Sequence, residues 1–138
     1  MHLSGQTAIR VRYAETDQMG IVYNSNYLIW FEVGRTELFR QLGLPYSFFE
    51  EQGLGLAVIE ATCRYRKPAR YDEELIITTV AEEMSARKVV FSYKIHKEDL
   101  LLAEGSTVHY FINKEGRLTD ARNYPIWAEV EKLLSAAT

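Results

Sequence analysis

The chain has 138 residues, 47% of them hydrophobic and 25% charged, and a formal net charge of -3. This fits one globular domain spanning residues 1–138 and offers no general attraction to nucleic acid or an anionic membrane. A single cysteine, Cys63, excludes an internal disulfide and points to an intracellular setting.

The opening residues, MHLSGQTAIRVRY, lack a basic segment leading into a long apolar one, and no apolar run reaches membrane-spanning length. The expectation is a cytoplasmic protein without a membrane span. TAIRVRY (7–13) alternates, with Ile9, Val11 and Tyr13 on one side and Arg10 and Arg12 on the other, as a half-exposed strand does. Next comes YAETDQMGIVYNSNY (13–27), which gathers two carboxylates, a glycine and two asparagines where strand character gives way to helix character. From 26 to 42 the positions Tyr27, Trp30, Phe31, Gly34, Leu38 and Leu42 recur at helical spacing, widened by Leu28, Ile29, Val33 and Phe39. The first half of this helix is apolar nearly all round, which suits a helix wrapped by a sheet. Asn24, Ser25 and Asn26 are good N-cap types, and Gly43 followed by Pro45 is a stop signal.

PYSFFEEQ (45–52) suits a short second helix. After Gly53 and Gly55 the pattern turns to strands, expected over 56–66, 74–83, 88–97 and 101–112, rich in β-branched and aromatic residues. The connections are too short for helical crossovers, so neighbours should run antiparallel. YPIWAEVEKLLSA (124–136) closes the chain as an amphipathic helix with Ile126, Trp127, Val130, Leu133 and Leu134 on one side. An α+β fold, an antiparallel sheet of about five strands curled around one long central helix, covers every apolar face.

The run Y-x-E-T-D-Q-M-G-I-V-Y-N-S-N-Y, with WFEVGRTE and later YRKPARYDEEL, resembles the 4-hydroxybenzoyl-CoA thioesterase-like branch of the hotdog-fold acyl-CoA thioesterases, over roughly Ala8 to Asn113. The resemblance implies hydrolysis of an acyl-CoA thioester at a site shared by two subunits, in a homodimer that often pairs into a homotetramer, with no cofactor and no metal. It matches Asp17 to the family's catalytic aspartate and the backbone N–H of Asn24 to an oxyanion donor, with Tyr23 and Ser25 as neighbours. It also implies a basic turn that holds the CoA nucleotide, for which Arg87 and Lys88 fit best. Two positions depart from the pattern: Glu15 stands where much of the branch has aspartate, and Asn24 where one sub-branch has histidine and another tyrosine.

Thioester hydrolysis needs an attacking oxygen and donors for the oxyanion. A carboxylate can attack directly, giving a mixed anhydride, or deprotonate a water. The first N–H groups of a helix lack intrahelical partners and sit at the positive end of its dipole. Asp17 and the helix start are therefore the expected machinery, with Tyr23, Tyr27 and Trp30 shaping the acyl pocket and Phe48 or Phe49 lining its depth. The bland alternative for Asp17 is a turn former. Gly20 is expected to permit a turn, and Glu15 to be solvated or paired with an arginine. Glu32 competes as a catalytic acid, but an i,i+3 pair with Arg35 is the expectation. Arg64, Arg66, Lys67 and Arg70 form a second basic run. His2, His96 and His109 are scattered, so neither a zinc site nor a hydratase-type aspartate–histidine pair is indicated. A non-catalytic module that binds acyl-CoA or an acyl-carrier protein stands as the alternative function.

Overall fold

A computed structural model describes residues 3–137; His2 lies outside them. In chain order the elements are β1 (Leu3–Arg10), α1 (Ser25–Gln41), α2 (Tyr46–Glu51), β2 (Gly55–Tyr65), β3 (Glu74–Met84), β4 (Lys88–Lys97), β5 (Leu100–Ile112) and α3 (Ile126–Ala136), with single 3-10 turns at Tyr13–Glu15 and Ala121–Asn123. The five strands form one sheet in the order β1-β3-β4-β5-β2, every neighbouring pair antiparallel. This is the expected hotdog arrangement, with α1 lying across the inner face.

The strand boundaries match the alternation except in β1, which stops at Arg10 rather than continuing to Tyr13. Val11 is buried, but Tyr13 enters the 3-10 turn and is 76% exposed, so the alternating face ends before it. Register shifts that skip Ile59, Glu82 and Leu102 insert bulges into β2, β3 and β5. Bulges increase local twist and help curl a sheet around a helix.

The core forms where α1 meets this curl. Trp30, Phe31 and Leu38 are buried with Leu75 and Ile77 from β3 and Phe91, Tyr93 and Ile95 from β4. The Phe31 ring stacks on Tyr93 with centroids 4.3 Å apart and planes 5° from parallel. Two glycines make the close approach possible. A Cβ at Gly34 would meet Thr79 Oγ1 and lie 2.8 Å from Ile77 Cγ2, while one at Gly105 would lie 2.8 Å from the Phe31 ring. At the chain's end, α3 buries Ile126, Trp127 and Val130, and the Trp127 ring meets Phe111 edge-on at 6.2 Å. Among the described residues no helix is long and apolar enough to cross a membrane.

Candidate active site

The segment between β1 and α1 is a strap held at several points. Before Asp17, Glu15 is 5% exposed; one carboxylate oxygen accepts from the Arg12 N–H at 2.8 Å and the other from the Trp30 indole N–H at 2.9 Å. After Asp17, Ile21 bridges Arg70, Val22 N–H donates to Ala69 O at 2.9 Å, and Tyr71 N–H donates to Gly20 O at 3.2 Å. The strap is thus fixed to α1 on one side and to the β2–β3 connection on the other.

Asp17 sits exposed at its tip. Its N–H donates to Ile21 O at 2.8 Å, and its Oδ1 accepts from Met19 N–H at 2.8 Å and Ile21 N–H at 3.2 Å. Gly20, at φ +75°, supplies the left-handed residue this tight reversal needs. Asp17 is therefore a turn former through Oδ1, while its Oδ2 accepts no hydrogen bond among the described residues.

The helix start lies a few residues beyond. Asn24 is the N-cap residue and its side chain makes no capping bond. Its carbonyl accepts from Tyr65 Oη and Tyr27 N–H, both at 3.2 Å. Among the described residues the N–H groups of Asn24 and Ser25 donate to no acceptor, which is the condition of a helix N-terminus open to a ligand. Beside them is a cleft of about 290 Å³ lined by residues that include Asn24, Tyr27, Tyr65, Arg66 and Lys67.

The aromatic residues expected to shape the acyl pocket divide. Tyr23 is 61% exposed. Tyr27 borders the cleft, but its ring is buried between Trp30 and Tyr65, each centroid 5.0 Å away, and its Oη accepts from Ala69 N–H at 3.2 Å. Burial pushes its pKa above the usual phenol value. Trp30 is buried in the core, its indole N–H given to Glu15. Phe48 is exposed and Phe49 buried. Tyr65 had no role in the sequence reading. Its position beside Asn24 follows from the register of β2 on β5, which no local pattern announces.

Within one protomer Arg87 and Lys88 are not brought to Asp17. Lys88 opens β4 opposite Tyr110, whereas Lys97 closes it with its ammonium on Glu73, close to the strap's anchor at Arg70. Nine residues of strand separate the two ends, about 30 Å. Arg87 pairs with Asp120 at 3.5 Å and Lys88 with Glu83 at 3.7 Å, and both border an open cleft with Tyr110, Phe111, Leu118 and Thr119.

The expected Glu32–Arg35 ion pair is not formed among the described residues. Arg35 instead donates to Tyr93 Oη at 3.5 Å, because the polar row Tyr93–Thr107–His109 lies beneath that turn of the helix. Glu32 remains exposed, and Arg40 takes Glu37 at 3.2 Å. His109 is fully buried, with Nε2 2.8 Å from Thr107 Oγ1. Burial first, then the Arg35 guanidinium, lowers its pKa to about 4. His109 pairs with Val89 and Val58 on neighbouring strands, toward the sheet end that carries Lys88, so it forms no dyad with Asp17 in the protomer. Among the described residues no group of three or more His, Cys, Asp or Glu could hold a metal.

Comparison with known proteins bears on the family and the fold. Residues 11–134 match the family described as the thioesterase-like superfamily. The Bacillus subtilis protein YneP is 42% identical over 116 residues, covering 83% of each chain. The acyl-CoA thioesterase YbgC of Haemophilus influenzae is 31% identical over 71% of this chain and 73% of its own. The crystal structure of a DHNA-CoA thioesterase from Staphylococcus aureus superposes with a TM-score of 0.87 at 34% identity, covering 96% of this chain and 91% of that one. The chain belongs to the thioesterase-like superfamily.

Proposed function

We infer that this protein is a thioester hydrolase that cleaves acyl-CoA to a free acid and CoA. The observation that carries the reading is the pairing, within one strap, of a carboxylate whose Oδ2 accepts no bond with a helix start whose first N–H groups are unclaimed, both among the described residues. Asp17 Oδ2 attacks the acyl carbon directly or takes a proton from a water that attacks it. In either case the carbonyl oxygen gains charge and is met by the N–H groups of Asn24 and Ser25, preorganised donors at the positive end of α1. On the water route the C–S bond then breaks and the CoA sulfur leaves with the proton that Asp17 took from the water. On the direct route the C–S bond breaks to leave an acyl–Asp17 anhydride, and a water then cleaves it, giving the free acid, restoring the carboxylate and supplying the proton to the thiolate. The thioester brings its own leaving group, so the reaction needs no cofactor, and the whole chain acts as one domain in the cytoplasm.

The active unit is a homodimer, itself able to pair into a homotetramer. β2 is an edge strand with its outer hydrogen-bonding side unpaired, and Val58, Ile59 and Tyr65 on it are about half exposed. Such an edge invites a second strand. Two β2 strands paired antiparallel about a two-fold axis set the Gly55 end of one against the Tyr65 end of the other. That arrangement carries Arg87 and Lys88 of the partner subunit toward the Asp17 strap, where they can hold the CoA phosphates.

A thiol-release assay across short, long and aromatic acyl-CoAs tests this. Release above background is expected with at least one class. If acyl-CoA binds in a titration and no thiol is released with any class, the protein is a binding module instead.

A further inference from the structure

We propose that Glu15 is a positioning residue, whose buried carboxylate locks the Asp17 turn to α1 and so sets the attacking oxygen and the oxyanion donors in one frame. This rests on the thioesterase reading above. A carboxylate that is 5% exposed is unfavourable unless its oxygens are satisfied. Here each oxygen has a different donor: the Arg12 N–H, at the entry to the 3-10 turn, and the Trp30 indole N–H in the second turn of α1, at 2.8 and 2.9 Å. The Arg12 guanidinium adds its charge 3.6 Å away. The main chain repeats the link, since Glu15 O accepts from Asn26 Nδ2 and Tyr23 N–H, both at 2.9 Å. With both oxygens engaged and only 5% of the residue exposed, Glu15 is withdrawn from substrate and solvent.

The location gives this lock its meaning. Asp17 is two residues downstream of Glu15, and Asn24 is two residues upstream of Asn26, so one residue grips both parts of the machinery near their bases. The far side of the strap is anchored separately, through Ile21–Arg70 and Val22–Ala69. The middle of α1 is held by Phe31 and Leu38 in the core. Loss of the lock therefore loosens the relative placement of turn and helix start while the fold persists, and small misplacements of reacting groups are costly to rate. Glutamine at position 15 keeps one acceptor but turns an NH2 toward the other N–H donor. Aspartate is one methylene too short to reach both.

The test compares wild type, Glu15→Gln, Trp30→Phe, the double variant and Asp17→Ala as reference. Thiol release is measured with the best acyl-CoA of the panel, and amide exchange of Met19 and Ile21, whose N–H groups bond Asp17, by NMR. Glu15→Gln should lower kcat at least about tenfold with KM within about twofold, Trp30→Phe should act in the same direction, and the double variant should be no worse than the stronger single, because both break one link. Exchange at Met19 and Ile21 should quicken at least about tenfold, with Phe91 and Tyr93 in β4 unchanged.

Unchanged kcat and unchanged exchange in folded variants overturn the proposal, as does a raised KM with kcat kept, or losses that add. Should Glu15→Gln not fold, Trp30→Phe carries the same test. If wild type releases no thiol, the thioesterase reading fails and the exchange rates alone decide whether Glu15 locks the turn. If wild type is active and Asp17-dependent while the Glu15 and Trp30 variants match it, only the positioning role falls.

Discussion

At Asp17 the turn-forming role uses one carboxylate oxygen, and the proposed catalytic role needs only the other. Oδ1 closes the turn by accepting from Met19 and Ile21, and Oδ2 has no donor among the described residues. Asparagine at this position keeps the turn and loses the charge. Asp17→Asn should therefore stay within about 0.5 kcal/mol of wild-type stability while thiol release falls at least about 100-fold; a variant with full activity would leave Asp17 as a turn former only. His109 behaves differently because its burial has a pH signature. Its pKa falls from 6.5 to about 4 in the folded chain, so between those values the unfolded chain binds a proton that the folded chain does not. Stability is full above about pH 6.5 and declines as pH falls toward 4, by at most about 3 kcal/mol. Urea unfolding at pH 7 and pH 5 should show the decline, and His109→Gln should flatten it. The sequence displayed Asp17 plainly, since the glycine and helix signals surround it. It concealed the tie of Glu15 to Trp30, because nothing local marks an indole fifteen positions on as the acceptor's partner.

Helix α1 illustrates what periodicity carries and what it omits. The spacing of Tyr27, Trp30, Phe31, Gly34, Leu38 and Leu42 located the buried stripe: the first five are buried and Leu42 caps the helix half-buried, while of the flanking residues Phe39 is buried, Val33 half-buried, and Leu28 and Ile29 exposed. The strands were equally readable, because β-branched and aromatic alternation persists wherever one face meets the core. The failure at Tyr13 came from the 3-10 turn that redirects the chain, and the missing Glu32–Arg35 pair from a tyrosine on β4 that reaches Arg35 first. The first is closed locally, by Glu15 N–H on Arg12 O and Thr16 N–H on Tyr13 O, whereas the second is decided by a contact distant in sequence. Gly34 is the element's tightest constraint. Gly34→Ala would press a methyl onto Thr79 and Ile77. Overpacking of this kind costs roughly 1–3 kcal/mol, against a helix-propensity gain of up to about 1 kcal/mol, so a lower urea midpoint is expected. An unchanged or raised midpoint would mean that α1 can lift from β3 without loss.

For the whole molecule the strand order matters most, and it was the least legible feature. Antiparallel neighbours followed from short connections, yet no local signal shows that β2 pairs with β5 at one edge and β1 with β3 at the other. That order leaves β2 open and puts Arg87 and Lys88 at the end of the sheet away from Asp17, which makes a site composed from two subunits geometrically sensible. Ile59 lies in the β2 bulge, 48% exposed. A lysine there should discourage strand addition. Ile59→Lys is expected to weaken self-association at least about tenfold, or ~1.4 kcal/mol, in sedimentation or size-exclusion measurements, with thiol release lost in parallel. A fully active monomer would sink the shared-site reading.

The hydrogen bond from Tyr65 to the Asn24 carbonyl joins the open edge to the start of α1. In the proposed dimer, a strand docked on β2 would order Tyr65 and, through it, the start of α1. Quaternary structure and turnover would then become one property: diluted below its dimer dissociation constant, the protein would slow per molecule while still folded, so its abundance would set its specific activity.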